Sequence, residues 1–586
     1  MKQEEVSNLE KMRHSASHVL AQAVLKIYPD AKLGIGPAIE NGFYYDFEFA
    51  EPLDEQDLKP IEQEMKKIIK RKLQITQTYM KRKEAIKYLK DIGQEYKLEL
   101  LEEIPDEQVS FFVTGDSEFV DMCRGPHVED TGDIGPIKLL KTAGAYWRGD
   151  ETKKMLTRIY GTAFETKEEL KEYLQHLEEA EKRNHRKLGK QLKLFAIIPE
   201  IGQGLPVWLP RGYMIRRTLE EYMLDLERKH GYQHILTPHI HRGHLFETSG
   251  HLGFYKESMY PPIKIEDEDY YLKPMNCPAG FMVYKLEPKS YRDLPYKLGE
   301  FGTVYRFEKS GELHGLQRVR GFTQNDAHLF CTPEQLDSVL NETIDLLEIF
   351  YKDIGFDKYR FRLSLSDREK NPDKYAGDIE KWKIAEESLR KLLVDRGLEF
   401  EEMPGDAAFY GPKIDVQAFN VFGKEDTVST LQLDFNMPEK FEITYIDSDG
   451  IEKQPFVIHR ALIGSFERFF AFLIEHHGGD FPLWLAPDQV TVIPISEKHL
   501  PYANEILTSL KNSNIRADID DRSKSMQAKI RDAEKLKIPY LAIIGDKEIE
   551  TETVSVRSRT NKQIGLMKKQ EFIDYLEEEI RTKGNK

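Results

Sequence analysis

Residues Thr303 to His328 form the most informative segment of the sequence, TVYRFEKSGELHGLQRVRGFTQNDAH. Its pattern predicts two short strands around a turn that contains Gly311 and Gly315. The first strand is expected to hold Val304, Tyr305 and Phe307, and the second Arg318, Val319 and Phe322.

Charged side chains are dense in this hairpin. Arg306, Arg318 and Arg320 lie close to Glu308 in sequence. Two guanidinium groups facing one carboxylate suit a polyphosphate, because each arginine offers phosphate oxygens a rigid bidentate fork. Phe322 adds a flat face for a nucleobase. The alternative interpretation is a charged, solvated hairpin without a ligand.

Polar residues alternate just after the arginines. Gln324, Asp326 and His328 occupy every second position. Successive side chains of a strand point to opposite faces, so these three would share one face. The alternation therefore predicts a pocket on that face.

These residues resemble motif 2 of the class II aminoacyl-tRNA synthetases. The resemblance rests on Arg306-Phe307-Glu308, the loop that follows, and then Arg318 and Phe322. Residues 314–316 and 318–328 are similar to the threonyl-tRNA synthetase family in particular. The resemblance implies an α+β multidomain fold with an antiparallel-sheet catalytic core, an N-terminal α+β editing domain and a C-terminal α/β anticodon-binding domain. It also implies a ligase that activates L-threonine with ATP and transfers it to tRNA(Thr).

Length and composition agree with several globular domains. The 586 residues are enough for about three or four domains that each bury a core. Apolar runs are too short for a membrane span, and the polar N-terminus has no signal region. Three cysteines cannot form a disulfide framework, which favours a cytoplasmic location. The net charge of −16 argues against indiscriminate nucleic-acid binding, but a local basic surface can still bind RNA.

Two distant pairs in the N-terminal region suggest a metal or hydrolytic site. His14 and His18 lie one turn apart on a helix predicted to begin near Leu9, so their imidazoles share a face. Cys123 and His127 complete a set that looks like four zinc ligands. The alternatives are a polar cleft without metal and packed histidines without a role.

Residues 1–165 resemble the editing domain shared by threonyl- and alanyl-tRNA synthetases. The resemblance implies hydrolysis of Ser-tRNA at His14, His18, Cys123 and His127, without a general need for zinc. Lys97 and Asp121 match positions that the family uses at the same site. Many family members begin with an extra small domain, and we expect this chain to lack it.

Residues 166–190 are predicted to form a linker helix with an apolar stripe at helical spacing. The stripe is expected to pack between domains. The basic run from His185 to Lys190 is predicted to be a solvated helix end, and contact with RNA is the alternative.

Residues 191–487 are expected to form the synthetase core. A long amphipathic helix opens at Gly212 and ends near His230, and a strand containing Thr237-Pro238 is expected to follow. This helix and strand resemble motif 1, which forms the dimer interface of class II enzymes. The resemblance therefore implies a homodimer.

A recognition metal is implied within this core. Cys277 is predicted to lie in a loop bounded by prolines, where a cysteine is usually just a small buried residue. The sequence leaves open whether it meets His328 and His459. In the threonyl family the matching residues bind one zinc and leave a position for substrate, as in catalytic zinc sites. The metal would read the threonine hydroxyl and reject valine, with Asp326 accepting the hydroxyl proton and Met275 and Gln324 lining the pocket.

Serine poses a second problem, because it has the hydroxyl and lacks only one methyl group. One missing methyl group gives about 1–3 kcal/mol of discrimination, or roughly 10–200-fold. That is too little for translation. A separate hydrolytic site is therefore expected, and the N-terminal region offers one.

The resemblance also implies the ATP site. The ending Gly464-x-x-Glu467-Arg468 is similar to motif 3. Arg306 is expected at the α-phosphate, Arg318 and Arg468 at the distal phosphates, Phe322 on adenine and Glu308 near the base, with Mg²⁺ bridging phosphates. Tyr410, Lys413 and Gln432 match substrate-facing positions of the family. Thr427 departs from the pattern, because that position is often Gln.

Residues 488–586 alternate helix and strand and predict a small α/β domain with a mixed sheet. Their order resembles the anticodon-binding domain of class IIa synthetases. Arg531, Glu548 and Arg557 match positions that read anticodon bases.

Together with these features, the resemblance implies a cytoplasmic, homodimeric threonine–tRNA ligase that edits Ser-tRNA(Thr). One rival is a non-catalytic, synthetase-like RNA-binding protein, although such a protein would not need all the arginines and metal ligands. Another rival is a seryl, prolyl or alanyl enzyme, in which the Cys/His/His set would have no task.

Overall fold

The computed structural model describes residues 6–51, 53–150, 152–371, 374–375, 377–559 and 563–584. The chain divides into two compact units, Met1–Glu178 and Glu179–Lys586. Each unit has its own buried core. The predicted boundaries at 165, 190 and 487 stay predictions. Within the described residues, no helix has the length and apolar character needed to cross a membrane.

The first unit combines helices with two antiparallel sheets. Its larger sheet has the order β1-β3-β8-β7, with β2 beside β3, and its smaller sheet has the order β4-β5-β6. Its helices are α1 (Asn8–Ile27), α2 (Leu58–Lys70), α3 (Arg82–Asp91), α4 (Glu95–Glu102) and α5 (Lys167–Arg183), which continues past the division between the units. Its strands are β1 (Lys32–Leu33), β2 (Ala38–Ile39), β3 (Gly42–Glu48), β4 (Ile75–Lys81), β5 (Gln108–Thr114), β6 (Phe119–Met122), β7 (Ile137–Tyr146) and β8 (Met155–Ala163).

Helix α1 positions the predicted histidines. Ser7 caps it by accepting a hydrogen bond from the Glu10 N–H at 3.2 Å, which satisfies one of the free donors at the helix start. The helix is buried along most of its length, and Val19, Leu20 and Val24 pack into the core of the unit. The predicted helix start near Leu9 is therefore confirmed.

The second unit begins with an eight-stranded sheet and its helices. The helices are α6 (His185–Gln191), α7 (Pro210–Lys229), α8 (Gly243–Thr248), α9 (His251–Phe254), α10 (Cys277–Tyr284), α11 (Leu336–Asp353), α12 (Ile379–Asp395), α13 (Met437–Lys440) and α14 (Phe466–His477). The strands are β9 (Phe195–Ile197), β10 (Pro206–Trp208), β11 (Gln233–His234), β12 (Ile240–Arg242), β13 (Ile263–Ile265), β14 (Glu268–Leu272), β15 (Tyr296–Tyr305), β16 (Gly321–Cys331), β17 (Tyr359–Leu365), β18 (Phe400–Pro404), β19 (Lys413–Phe419), β20 (Glu425–Asp434), β21 (Tyr445–Ile446), β22 (Glu452–Lys453) and β23 (Phe456–Ile463).

The large sheet has the strand order β11-β15-β16-β23-β20-β19-β17-β18. The outermost pairs are parallel and the five inner pairs are antiparallel, which confirms the predicted antiparallel core. Side chains alternate across it, so Ala327, Leu329 and Leu431 pack against the helices in the main core. Their neighbours, such as His328 and Gln432, point to the opposite face.

The C-terminal part has a mixed sheet, as predicted, and its five strands have the order β25-β24-β26-β27-β28. Its helices are α15 (Leu500–Asn512), α16 (Met526–Lys535), α17 (Asp546–Thr551) and α18 (Lys569–Arg581). Its strands are β24 (Val490–Pro494), β25 (Ala517–Ile519), β26 (Tyr540–Ile544), β27 (Thr553–Ser558) and β28 (Gln563–Lys568). The sequence patterns missed the short helix α17 and the exposed strand β28.

The predicted hairpin arms were wrong at their inner ends. Strand β15 ends at Tyr305 and β16 begins at Gly321, so Phe307, Arg318 and Val319 lie in the connecting loop. After Arg306 the chain leaves the ladder, because the Glu308 N–H turns back to the Arg306 carbonyl at 2.9 Å.

Three smaller predictions were also wrong. Thr237-Pro238 lies outside the strands, because proline lacks an N–H and the Thr237 N–H donates to Glu300 at 2.9 Å. Cys277 begins helix α10 instead of lying in a loop, with Pro278 in the first turn. His185, expected at a solvated helix end, is only 1% exposed.

Candidate active site

A pocket of about 270 Å³ lies on the face of the large sheet that is turned away from the main core. It collects residues from the β15–β16 loop and from strands β16, β20 and β23. The predicted residues that line it are Met275, Cys277, Arg306, Glu308, Arg318, Phe322, Gln324, Asp326, Tyr410, Gln432, His459 and Arg468. Residues predicted from separate motifs thus meet in one cavity.

Strand register explains this convergence. His328 on β16 lies opposite His459 on β23, and His459 also lies opposite Gln432 on β20. Gln432 in turn lies opposite Lys413 on β19. Directly paired residues hold their Cβ atoms about 4.5–5.5 Å apart on the same face of a sheet. Strand pairing therefore forms one row from residues far apart in sequence.

Cys277, His328 and His459 form a potential metal site. Their candidate ligand atoms all lie within 4.8 Å of one another, and their side chains are buried. His328 Nε2 and His459 Nδ1 have no hydrogen-bond partner among the described residues, which is uncommon for buried nitrogens. One sulfur and two imidazoles suit zinc, and three protein ligands leave a position for substrate. The residues therefore fit a zinc ion.

Electrostatics favour ligation at this site. Burial disfavours the thiolate of Cys277, but His459 and His328 nevertheless lower the pKa of the thiol to about 7. Thiolate is the form of cysteine that binds metals. Asp434 accepts a hydrogen bond from His459 Nε2 at 2.9 Å, which leaves Nδ1 for the cluster. A carboxylate behind a ligating histidine orients the ring and selects its tautomer.

Small residues and amides shape the surroundings of the metal ligands. A Cβ added at Gly280 would lie 3.2 Å from His328 Nδ1, so the absence of a side chain there lets α10 pass close to the imidazole without a tight contact. Asn276 Nδ2 donates to Asp326 Oδ2 at 3.1 Å and orients that carboxylate. His251 lies 3.1 Å from the sulfur of Met275. The sequence assigned no role to Asn276 or His251, although Asn276 adjoins Cys277.

Three arginines converge on the other end of the pocket. Arg306 lies 5.0 Å from the ring centroid of Phe322, and Arg468 donates to the Gln317 carbonyl at 3.1 Å. Arg318 donates to Glu308 at 2.7 Å and to Glu312 at 2.8 Å. In this state Glu308 therefore orients an arginine. The concentration of guanidinium groups suits a polyphosphate.

Two predicted residues, His328 and Lys413, do not line the pocket, and one lining residue, Thr427, departs from the family pattern. His328 lies behind the lining, next to Cys277 and His459. Lys413 is instead ion-paired with Asp415 and Asp406. The hydroxyl of Thr427 accepts a hydrogen bond from the side chain of Gln417 at 2.9 Å.

Seven lining residues were not predicted from the sequence, mostly because they flank recognised positions without a chemical signature of their own. They are Gln317, Val319, Val428, Thr430, Arg460, Ala461 and Ser465. Gly464, which the sequence identified only as part of motif 3, also lines the pocket.

A second cluster lies in the first unit. Candidate ligand atoms of His14, His18, Cys123 and His127 all lie within 4.8 Å of one another. Cys123 Sγ is 3.2 Å from His14 Nε2 and 3.4 Å from His127 Nε2. Helix α1 thus meets the loop after β6, and the two predicted pairs come together.

A buried ion pair supports this cluster. Lys97 Nζ lies 2.7 Å from Asp121, and both side chains are at most 5% exposed. His18 Nε2 lies 3.7 Å from the same carboxylate. Tyr45, which the sequence did not single out, donates to Asp121 at 2.6 Å. The predicted Lys97 and Asp121 therefore lie against the histidines.

Burial keeps this second cluster neutral. It lowers the pKa of His14, His18 and His127, so their imidazoles are uncharged near neutral pH. It also raises the pKa of Cys123 to about 11, so the thiol stays protonated. Neutral imidazoles can accept protons, whereas a protonated thiol is a poor nucleophile.

The three predicted anticodon residues lie on separate elements of the C-terminal part. Arg531 is exposed on α16, Glu548 lies on α17 and Arg557 lies on β27. The Glu548 carboxylate accepts a hydrogen bond from the Gly545 N–H at 2.9 Å.

Three family models match the chain in the predicted order. The one described as "Threonyl and Alanyl tRNA synthetase second additional domain" matches residues 109–160. "tRNA synthetase class II core domain (G, H, P, S and T)" matches residues 260–477, and "Anticodon binding domain" matches residues 489–579.

Sequence similarity to known proteins extends over nearly the whole chain. The threonine–tRNA ligase of Geobacillus sp. (strain WCH70) is 48% identical over 98% of this chain and 89% of its own length. That of Aquifex aeolicus (strain VF5) is 46% identical over 98% of this chain and 90% of its own. A crystal structure of the RNA-binding domain of threonyl-tRNA synthetase from Cryptosporidium parvum Iowa II is 36% identical, with a TM-score of 0.64, and covers 67% of this chain and 98% of that one.

Proposed function

The chain belongs to the threonine–tRNA ligases, a family of class II aminoacyl-tRNA synthetases, and we propose which of its residues carry out each step of that reaction. Residues 191–487 activate L-threonine with ATP and transfer it to tRNA(Thr). Residues 1–165 hydrolyse Ser-tRNA(Thr), residues 166–190 link the two, and residues 488–586 bind the anticodon.

Threonine is recognised at the metal site. Cys277, His328 and His459 would hold zinc, and a bound zinc supplies a Lewis acid for the amino and hydroxyl groups of threonine. Asp326 accepts the proton of the substrate hydroxyl, while Met275, Gln324, Tyr410 and Gln432 enclose the substrate. Valine lacks the hydroxyl and leaves these polar partners unsatisfied, so it is rejected strongly.

Activation depends on the three arginines. The threonine carboxylate attacks the α-phosphorus of ATP, an acyl–phosphate bond forms, and the bond to pyrophosphate breaks. Arg306 stabilises the charge that develops on the α-phosphate, and Arg318 and Arg468 hold the distal phosphates. Phe322 stacks on adenine, and Glu308 orients Arg318 or contacts the base. Mg²⁺ bound with ATP would neutralise phosphate charge. Lys413 lies outside the pocket lining, opposite Gln432 on the neighbouring strand, and contributes to the catalytic site from there.

Transfer and editing complete the proposed cycle. The terminal ribose hydroxyl of tRNA attacks the adenylate carbonyl, and AMP leaves. In the editing site, a neutral imidazole from His14, His18 or His127 takes a proton from the water that attacks the carbonyl carbon of the seryl ester. The bond from that carbon to the ribose oxygen of tRNA then breaks, serine leaves, and the ribose oxygen takes the proton from the imidazolium. Lys97, held by Asp121, stabilises the oxyanion, and Cys123 contributes a hydrogen bond or a metal ligand.

We also propose a cytoplasmic homodimer. The motif 1 helix α7 and the exposed apolar residues after it, such as Leu236 at 81% exposure, support a partner surface. The three free cysteines support a reducing compartment. In the C-terminal part, Arg531, Glu548 and Arg557 read the anticodon.

The observation that carries the activation proposal is that Cys277 and His459, with His328 directly beside them, line the same pocket as three arginines. It is tested by ATP–pyrophosphate exchange with threonine, serine, valine, proline and alanine, with and without chelator. Strong exchange with threonine, weaker exchange with serine, none with valine and loss on zinc removal are expected. Folded, zinc-replete protein that exchanges with no amino acid would overturn the proposal.

Editing is tested separately with pre-charged Ser-tRNA(Thr). His14→Ala and Cys123→Ala should lose hydrolysis and keep threonine exchange. Hydrolysis at the wild-type rate by both variants would reject the editing assignment without affecting the activation proposal.

A further inference from the structure

His185, at the first position of α6, makes a buried bridge between two parts of the synthetase core. Its side chain is 1% exposed. Its Nδ1 lies 2.7 Å from Glu475 Oε1 on α14, and its Nε2 accepts a hydrogen bond from the Leu316 N–H at 3.2 Å. The activation mechanism has so far given no task to this residue.

The hydrogen bonds select one form of the ring. The Leu316 amide can only donate, so His185 Nε2 must carry a lone pair. Nδ1 therefore carries the proton and donates a hydrogen bond to Glu475. The backbone N–H of His185 also donates to Glu475 Oε1, at 3.2 Å. These bonds satisfy both ring nitrogens and fix the imidazole against α14.

The partner of Nε2 lies at the tip of a tight turn in the loop between β15 and β16. In this turn the His314 N–H donates to the Arg318 carbonyl, and the Gln317 and Arg318 N–H groups donate back to the His314 carbonyl. The side chain of Leu316 is 1% exposed and packs in the main core. His185 thus holds the turn from which Gln317 and Arg318 enter the pocket.

The approach between turn and imidazole is close enough to require glycine. Gly315 has a φ of +51°, and a Cβ built on it would lie 2.2 Å from His185 Nε2. The backbone of the turn therefore fits against the ring without room for a side chain.

We propose that His185 is a positioning residue for nucleotide binding: by bridging Glu475 and the Leu316 N–H, it holds the His314–Arg318 turn so that Arg318 meets the distal phosphates of ATP. The inference rests on the proposed function of the pocket. The threonine side of the pocket is built on the sheet, so the bridge acts on ATP and leaves threonine binding unchanged.

A matched pair of amides tests the bridge. Gln at position 185 can place its carbonyl oxygen near the position of Nε2 and still accept from Leu316, whereas Asn is too short to reach. In ATP–pyrophosphate exchange, His185→Asn should raise the KM for ATP about tenfold or more, since each 1.4 kcal/mol lost is tenfold. Its KM for threonine should change less than about twofold, and His185→Gln should recover most of the ATP affinity.

A second pair separates the turn from general strain. Gly315→Ala should give the same selective rise in the KM for ATP as His185→Asn. Gly423→Ala is its control, because Gly423 has a φ of +76° but no atom within 4 Å of the added Cβ. Lys187→Gln, at an exposed position of the same helix, controls for changes in α6. Both controls should match the wild type.

Several outcomes would overturn the inference while leaving the proposed function intact. These are a wild-type KM for ATP in folded His185→Asn, equal rises in both KM values, or equal defects in the Asn and Gln variants. If His185→Asn does not fold, the comparison of Gly315→Ala with Gly423→Ala decides in its place. Wild-type protein without exchange would instead reject the proposed function.

Discussion

Replacing Asp434 with Asn should weaken zinc binding by the protein, although Asp434 is not a ligand. Its Oδ2 accepts a hydrogen bond from His459 Nε2 at 2.9 Å. Its Oδ1 accepts from the Asn436 and Met437 N–H groups at 2.8 and 2.9 Å. Asp434 is fully buried, so the carboxylate is held rigidly behind the imidazole.

The magnitude follows from the tautomer that Asn would impose. The two backbone N–H groups require an oxygen, so the new amide NH₂ must face His459 Nε2. Nε2 must then accept, which moves the ring proton to Nδ1, the nitrogen needed for the metal. Loss of such a supporting carboxylate typically costs 10–100-fold in metal affinity, or about 1.4–2.7 kcal/mol. We expect a loss in this range.

The assay is competition for zinc between chelator-stripped protein and a chromophoric chelator. Asp415→Asn is the matched control, because Asp415 is also buried on a neighbouring strand but bonds Lys413 and Thr430 instead of a ligand. Its zinc affinity should equal that of the wild type. Wild-type affinity in folded Asp434→Asn would refute the argument from the tautomer.

Three further predictions concern other parts of the molecule. Asp121→Asn leaves Lys97 buried without its charged partner, which should lower the unfolding free energy by about 3–5 kcal/mol. The variant should lose Ser-tRNA hydrolysis and keep threonine-dependent exchange. An unchanged melting temperature would contradict this prediction. Glu227→Gln should also lower the unfolding free energy by about 3–5 kcal/mol, measured by denaturant unfolding, because Glu227 is fully buried and accepts hydrogen bonds from Arg460 at 2.6 Å and from Asn325 at 2.9 Å. Glu221→Gln, at an exposed position, should change the unfolding free energy little. Burial lowers the pKa of His477 to about 4 from its ordinary 6.5, with His476 adding repulsion, so the unfolded chain binds the extra proton first as pH falls. The unfolding free energy should therefore decrease from pH 6.5 to about 4, by up to about 1.4 kcal/mol per pH unit for this group, and His477→Asn should have a shallower pH dependence; identical slopes would refute it.

Local periodicity explains which site residues the sequence could identify. His14 and His18 share a face because a helix repeats every 3.6 residues, and Gln324, Asp326 and His328 share a face because a strand repeats every two. Side-chain chemistry then indicated a polyphosphate site at Arg306 and Arg318. The class II resemblance added motif 3 and the metal ligands.

Other features depended on contacts that have no local signature. The inner hairpin arms were misplaced because charged residues from Arg306 to Arg320 form a loop held by bonds to distant groups, such as the Arg320 N–H to the Gly204 carbonyl at 2.7 Å. Tyr45 and Asp434 have ordinary sequence surroundings. Their importance appears only because burial places their polar groups against Asp121 and His459.

Residue type and short-range backbone geometry were enough to predict the chemical groups, the face that His14 and His18 share, the face that Gln324, Asp326 and His328 share, and the family of the protein. The pairing of His328 with His459 beside Cys277, and the support that His185 gives to the loop carrying Arg318, came from tertiary contacts alone. Strand register and close packing join residues separated by more than 100 positions, and no periodicity within one segment encodes such a pairing.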